Sequence, residues 1–255
     1  MDSNSKLDKE FNKLIKRLND KGIIFAAISG RSIVYLDKGL EEVEEEIVKI
    51  SNNGNHIQHK DKIINHNAMN KEELKEIIEI LKNDIEGFIL YSTQNGIYSE
   101  SIIPIEDSSN WKAKVNTIED IRKIEDDILK ITIYTEGEKM KHTIKKLAPF
   151  EEKFMVTLSG ESYYDICKLG GNKKRAIEIL QREFNIGYDE TVVFGDHLND
   201  TEMMEAAYYS FAVANAKQEV KNKARFITKS NDENGVICAI KELVFGEKHD
   251  AIKKV

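Results

Sequence analysis

Proline and cysteine are scarce in this chain, with two of each among 255 residues, and there is a single tryptophan. Cys167 and Cys238 stand far apart and give no disulfide framework, so reduced thiols are expected. No apolar stretch approaches the roughly eighteen residues that a membrane-spanning helix requires. The first residues carry no apolar signal segment either, and the expected setting is the cytoplasm. Positive charge is outweighed: 38 Lys and Arg face 45 Asp and Glu, for a formal net charge of −7. That balance argues against a nucleic-acid or anionic-membrane surface, both of which reward clustered cations. Internal repeats and low-complexity segments are absent as well. What the chain has is a 40 % hydrophobic content beside 33 % charged residues, enough for one large globular domain or two modest ones.

The apolar spacing begins with a helix. Leu7, Phe11, Leu14, Ile15 and Leu18 recur at helical intervals, Ser5 is placed to cap them, and Gly22 lies just past the end. The run Ile23 to Ile28 in IIFAAISGR reads as a strand buried on both faces of a parallel sheet. EEVEEEIVKISNNGN reads as an acidic helix feeding a short strand that stops at Asn52-Asn53-Gly54. The texture changes over about 57–168, which reads as a mixed α+β insertion. Asn70 and Glu73 form a capping-box pattern ahead of Leu74, Ile77, Ile78 and Leu81. GFILYSTQNGIYSESI predicts a hairpin with a type I′ turn at Asn95-Gly96. A helix is predicted from Thr117 through Ile118, Ile121, Ile124 and Ile128, and another from Glu138 to Leu147. ILKITIYT alternates like a half-buried strand, and KFMVTLSGESYYDIC supplies more strand. Beyond it helix and strand alternate again: NKKRAIEILQREF, TVVFG, DTEMMEAA, YYSFAVA, KQEVKNKA, RFIT and NGVICAIKELV. That rhythm means a parallel sheet wound with helices, an α/β fold.

In open α/β sheets, ligands gather outside the carboxyl ends of the strands. Four polar clusters fall there: Ser29-Gly30-Arg31, Asn53-Gly54, Lys173 after Gly170-Gly171, and Gly195-Asp196-His197-Leu198-Asn199-Asp200. A serine hydroxyl beside an approachable glycine N–H suits a phosphate oxygen, and a lysine opening a helix adds a point charge to helix-terminal N–H groups. Asp196 is a hard oxygen donor, and Mg²⁺ needs only one or two such carboxylates, with waters and substrate phosphate completing its shell. Asn199 can donate to the same phosphate, and Asp200 can restrain Lys173 or a metal-bound water. A metal, a phosphate grip and a cation make the apparatus of phosphoryl transfer. Taken singly, Ser-Gly-Arg also reads as a strand-to-loop turn and NKKR as a solvated helix start. Gly-Asp-x-x-Asn-Asp after an apolar strand is the specific signal.

These motifs resemble the haloacid dehalogenase-like hydrolase superfamily, and within it the Cof-type phosphatases with a large α/β cap. FAAISGRS looks like that family's second motif, GGNKKRAIEIL its third, and VVFGDHLNDTEMM its fourth. ISNNGNHI matches its Asn-Gly turn into the cap, and FAVANAKQEVKNKARFITKSNDENGVICAI its C-terminal run. The resemblance covers essentially the whole chain. It implies a Rossmann-like parallel-sheet core from 1–56 and 169–255 with an inserted α+β cap at 57–168. It further implies phosphate contacts from Ser29, Gly30, Lys173 and Asn199, a Mg²⁺ ligand in Asp196, and a supporting Asp200. Arg31 has no assigned role, and His197 reads as a spacer. The implied partner is a small phosphorylated metabolite. Trp111, Tyr163 and Tyr164 are candidates to line the leaving-group side, and equally candidates for ordinary core.

The same resemblance implies an Asp-x-Asp-Gly-Thr motif ahead of helix one, whose first Asp becomes an aspartyl phosphate. Here the helical pattern begins almost at Met1; Asp2 follows no strand, and Asp8 falls in the predicted first turn. The 255-residue form is therefore expected to lack its nucleophile, its acid/base partner and one central strand, and to be inactive as it stands. A phosphate-binding pseudo-enzyme and a phosphomutase of the same superfamily are the alternatives. A receiver-like domain would not carry an insertion of this size. A metal cluster from His56, His59 and His66 is disfavoured, because residues three apart on a strand face opposite ways.

Overall fold

The computed structural model describes residues 1–3, 6–102, 114–159 and 162–255. The elements open with α1 (Phe11–Asn19), β1 (Phe25–Ile28), α2 (Ile33–Leu40), β2 (Ile47–Ser51), β3 (His56–His59), β4 (Lys62–His66) and α3 (Lys71–Asp84). They continue through β5 (Phe88–Ser92), β6 (Ile97–Ser99), β7 (Val115–Thr117), β8 (Lys130–Tyr134), α4 (Glu138–Leu147), β9 (Phe154–Leu158) and β10 (Tyr163–Lys168). The last third holds α5 (Lys173–Phe184), β11 (Val192–Gly195), β12 (Tyr209–Val213), α6 (Gln218–Lys223), β13 (Phe226–Thr228), α7 (Gly235–Phe245) and β14 (Lys253–Lys254). The chain divides into two compact units, Met1–Ala26 with Glu42–Val48 and Asn172–Val255, and Ala27–Glu41 with Lys49–Gly171. No helix among the described residues is long and apolar enough to cross a membrane.

In the first unit, a four-stranded sheet runs β11-β12-β13-β14. Its first three strands are parallel, with Gly195 opposite Ala212 and Phe211 opposite Phe226, and β14 is antiparallel to β13. The wound α/β expectation therefore holds here, and β11 delivers its carboxyl end at Gly195. Helix α1 begins four residues later than its spacing predicts. Asp8 accepts the Glu10 N–H at 2.7 Å, and its carbonyl accepts the Phe11 N–H, so Leu7 precedes the helix. Ser5, the expected cap, lies outside the described residues. Phe11, Leu14, Ile15 and Leu18 are the buried stripe, each worth roughly 1.5–3 kcal/mol of burial. DTEMMEAA does not form the expected α-helix. A 3-10 turn at Leu198–Asp200 leads into it and a second covers Glu202–Ala206, and the Asp200 side chain bonds back to the loop before it.

The second unit holds two sheets: β1-β2-β3-β4, whose first two strands begin in the first unit, and β7-β6-β5-β8-β10-β9. All four residues of β1 are half-buried, and Ile23 and Ile24 are exposed, not buried on both faces. Among the described residues the strand lies at one end of its sheet, with β2 its one strand neighbour. The acidic segment forms only a 3-10 turn at Glu44–Glu46, while α2, which the sequence reading did not place, buries Ile33, Leu36 and Leu40. The capping box forms as written, with Glu73 N–H on Asn70 at 2.8 Å and Asn70 N–H on the Glu73 carboxylate at 2.7 Å. The hairpin between β5 and β6 also forms, but neither Asn95 nor Gly96 has positive φ. Its turn is organised by Thr93 Oγ1, which accepts the N–H groups of Asn95 and Gly96. The helix expected from Thr117 is absent: β7 runs through Thr117 and only a 3-10 turn follows, at Ile121–Lys123. There the Asp120 side chain takes the Arg122 N–H and Glu100 takes that of Ile121, which diverts the backbone from helix while Ile121 and Ile128 still reach the core. Strand β8 is buried on both faces, not half-buried.

Candidate functional site

In the first unit, β11 ends at Gly195 and Asp196 follows at the sheet's carboxyl edge. A Cβ on Gly195 would lie 2.6 Å from Asp200 Cβ and 2.5 Å from Met204 Cε, so only glycine lets Asp200 fold under the strand end. Asp200 is the hub. Its Oδ2 accepts the N–H of Asp196 at 2.9 Å and of His197 at 3.1 Å, and its Oδ1 meets Lys173 Nζ at 2.5 Å. Lys173 is the first residue of α5, which Asn172 caps by accepting the Arg175 N–H at 2.8 Å. Both partners of the pair are buried, with side chains 8 % and 5 % exposed. Burial by itself would raise the Asp200 pKa. The Lys173 charge and hydrogen bond, with the two backbone N–H groups, outweigh it and hold the carboxyl below its usual range.

Asp196 is different. It stays open to solvent on one side, yet the protein packed around it, and then the charge of Asp200, push its carboxyl above the usual range. Lys173 is committed to Asp200. Among the described residues no ion pair joins the Asp196 carboxylate to a cation, which leaves a hard anionic oxygen donor at a strand end. Asn199 sits beside it on the 3-10 turn Leu198–Asp200, half-exposed. The first unit thus brings together Lys173, Asp196, Asn199 and Asp200.

In the second unit, β1 leads into Ser29-Gly30-Arg31. The turn is held from several directions. Ser29 N–H donates to Ile50 O at 2.9 Å, Asn53 N–H to Ser29 O at 3.1 Å, and Asn52 N–H to Arg31 O at 2.8 Å. Asn52, Asn53 and Gly54 have φ of 51°, 58° and 98°, left-handed conformations that asparagine and glycine tolerate best. Ser29 Oγ accepts the Arg31 N–H at 3.1 Å, which leaves its own hydrogen to point elsewhere. The Gly30 carbonyl accepts from Lys130 Nζ at 2.8 Å. Among the described residues the Gly30 N–H has no hydrogen-bond partner, so the turn presents one hydroxyl and one amide donor. Arg31 is exposed, its guanidinium 5.6 Å from the Tyr35 ring centroid.

The remaining candidates fall elsewhere. Tyr164 is core, in one cluster with Ile131, Ile133 and Ile166, and Tyr163 meets Tyr134 in a tilted ring contact with centroids 5.0 Å apart. Trp111 lies outside the described residues. His56 and His66 oppose each other across β3 and β4 with ring nitrogens 3.2 Å apart, while His59 pairs with Lys62. No group of three or more His, Cys, Asp or Glu able to hold a metal occurs among the described residues. Cys167 is fully buried, and that burial pushes its thiol up to about 12, which removes it as a nucleophile at neutral pH. Two residues that the sequence reading passed over join the turn, Lys130 and Asp165. The alternation of ILKITIYT marks a half-buried strand and gives no reason to single out Lys130.

A family profile described as haloacid dehalogenase-like hydrolase matches residues 1–240. Among curated proteins, the Escherichia coli 5-amino-6-(5-phospho-D-ribitylamino)uracil phosphatase YbjI is 25 % identical over 249 residues, covering 95 % of this chain and 90 % of its own. The Bacillus subtilis phosphatase of the same name, YwtE, is 26 % identical over 274 residues, covering 97 % and 95 %. A haloacid dehalogenase-like hydrolase structure from Bacteroides thetaiotaomicron shares the fold with a TM-score of 0.85 at 23 % identity, over 95 % of each chain.

Proposed function

Because the chain belongs to the haloacid dehalogenase-like hydrolases, we propose that it serves the Mg²⁺-dependent hydrolysis of a small phosphomonoester, a sugar phosphate or similar metabolite. The observation that carries this reading is the buried Lys173–Asp200 pair together with an Asp196 carboxylate that, among the described residues, no ion pair ties to a cation. That donor set fits Mg²⁺, which takes one or two hard carboxylates and completes its octahedron with waters and phosphate oxygens. Asp196 would hold the ion, and bound Mg²⁺ would supply neutralising charge to phosphoryl oxygens. The chain's own groups do the rest. Ser29 Oγ–H and Gly30 N–H are assigned to phosphate oxygens, as are the Lys173 ammonium and the Asn199 amide. Asp200 acts behind them, fixing Lys173 and the Asp196-His197 backbone. Residues 57–168, which contain the whole six-stranded sheet, are taken as the cap over the leaving group. The names of YbjI and YwtE, phosphatases of a phosphorylated ribityl compound, favour a substrate of that size.

The 255 residues contain no Asp-x-Asp-Gly-Thr. We read these residues as the part that binds and orients the phosphoryl group, with the aspartyl phosphate formed on the carboxylate pair of that motif. The same absence favours a second reading, a protein that binds phosphorylated ligands without turnover. Phosphate release from a panel of sugar, nucleotide and pyridoxal phosphates, with Mg²⁺ and with EDTA, separates them. The 255-residue protein is expected to release none; a version with an Asp-x-Asp-Gly-Thr strand placed before Met1 is expected to release phosphate only with Mg²⁺. Failure of that version to turn over would favour the second reading, and turnover by the 255 residues alone would end the assignment of the missing aspartate.

A further inference from the structure

The polar face of the six-stranded sheet carries a buried ion pair that the function above does not use. Lys130 and Thr132 lie on β8 and Asp165 on β10, with Asp165 directly opposite Thr132 in an antiparallel register. Side chains alternate along a strand, so these three share one face, while Ile131, Ile133 and Ile166 fill the apolar core on the other. All three polar residues are nonetheless buried, Lys130 at 6 % exposure, Thr132 at 3 % and Asp165 at 2 %. Asp165 Oδ1 accepts from Thr132 Oγ1 at 2.6 Å, and its Oδ2 accepts from Lys130 Nζ at 3.1 Å and from Asn53 Nδ2 at 3.4 Å. Lys130 Nζ then reaches the Gly30 carbonyl at 2.8 Å.

A buried ion pair is a poor device for stability alone, because desolvating both charges offsets most of their attraction and apolar residues of similar volume do as well. This one has a specific target. Gly30 has no Cβ to bias its backbone, so its conformation depends on what holds the peptides either side. The carbonyl before it, on Ser29, is held by Asn53 N–H, and its own carbonyl is held by Lys130. Asp165 Oδ2 ties the two anchoring residues together, accepting from the Asn53 side-chain Nδ2 and from Lys130 Nζ. The trans peptide sets the Gly30 N–H opposite the Ser29 carbonyl, and it has no hydrogen-bond partner among the described residues.

We propose that Lys130 and Asp165 are positioning residues that set the Ser29-Gly30 turn for phosphate through the Gly30 carbonyl. This rests on the assignment of Ser29 and Gly30 to phosphate, and it is a claim about preorganisation, with no contact between Lys130 and the ligand required. The test is calorimetric titration of inorganic phosphate, with Mg²⁺ present, into the full chain. The double variant Lys130→Met/Asp165→Asn removes both charges together, so that neither is stranded, and its thermal melt is recorded alongside. The expected result is a Kd weakened about tenfold, the equivalent of one charge-assisted hydrogen bond, in a protein that still melts cooperatively. A purely structural role would lower the melting temperature and leave the Kd of the folded protein unchanged. An unchanged Kd, with Ser29→Ala still weakening phosphate binding, overturns the role of Lys130. If Ser29→Ala also leaves binding untouched, the phosphate assignment itself fails and the proposal with it. Should the double variant not fold, NMR of the unaltered protein decides: phosphate is expected to shift the Gly30 amide and the Lys130 ammonium resonances together, and a Lys130 signal indifferent to phosphate overturns the proposal.

Discussion

Replacing Lys173 by methionine keeps the length and apolar stem of the side chain and removes only the ammonium. In the folded protein this leaves Asp200, 3 % exposed, with two backbone N–H donors and no countercharge. At an effective dielectric of about 20, two charges about 4 Å apart attract by roughly 4 kcal/mol. Desolvation of both offsets much of that while the pair is intact, but stranding one partner typically costs about 3–5 kcal/mol. For a protein of this size each kcal/mol moves Tm by about 2–4 °C, so Lys173→Met is expected to lower Tm by roughly 10 °C. Adding Asp200→Asn to it is expected to recover at least about 1 kcal/mol, since an amide oxygen can still accept from Asp196 and His197 and carries no unpaired charge. Urea unfolding of the two single variants and the double, followed by circular dichroism, gives the coupling energy directly. A loss below about 1 kcal/mol for Lys173→Met, or strict additivity in the double variant, would refute the claim that the pair holds this loop.

Two further outcomes follow from the same geometry. Gly195→Ala sets a methyl 2.6 Å from Asp200 Cβ and 2.5 Å from Met204 Cε. It is expected to cost about 1–3 kcal/mol in urea unfolding, and an unchanged midpoint would show that the loop has slack. His56 is buried, and burial first, then the neighbouring His66, lowers its pKa from 6.5, against weaker opposing contributions from Gln58 and Asp37. A depressed folded pKa means that the unfolded chain takes up the proton first. The stability that neutral His56 contributes is thus complete above pH 6.5 and is lost as pH falls through the folded value. Melting temperature is expected to fall on acidification below that point, and less steeply in His56→Gln; parallel curves would remove His56 as the cause.

The legibility of the fold divides along physical lines. Where a pattern was local it was readable: the Asn70–Glu73 box, the bounds of α4, and the parallel strands of the last third all follow from neighbours in sequence. The isoleucines at 118, 121, 124 and 128 kept helical spacing, yet Asp120 and Glu100 captured the backbone N–H groups that a helix would have used. Asn95-Gly96 offered a primed turn, and the Thr93 hydroxyl imposed another. The fourth-motif cluster was legible as a group because one short loop carries it. Lys130 and Asp165 were not, because a two-residue period tells which side chains share a face and is silent on what covers that face.

If Asp196 holds a divalent ion, as proposed, the presence of that ion governs phosphate binding. Calorimetric titration of inorganic phosphate into the protein and into Asp196→Asn, each with Mg²⁺ and with EDTA, addresses it most directly. Tight binding is expected only for the unaltered protein with Mg²⁺, and weak binding in the other three combinations. Equal phosphate affinity in all four would contradict it.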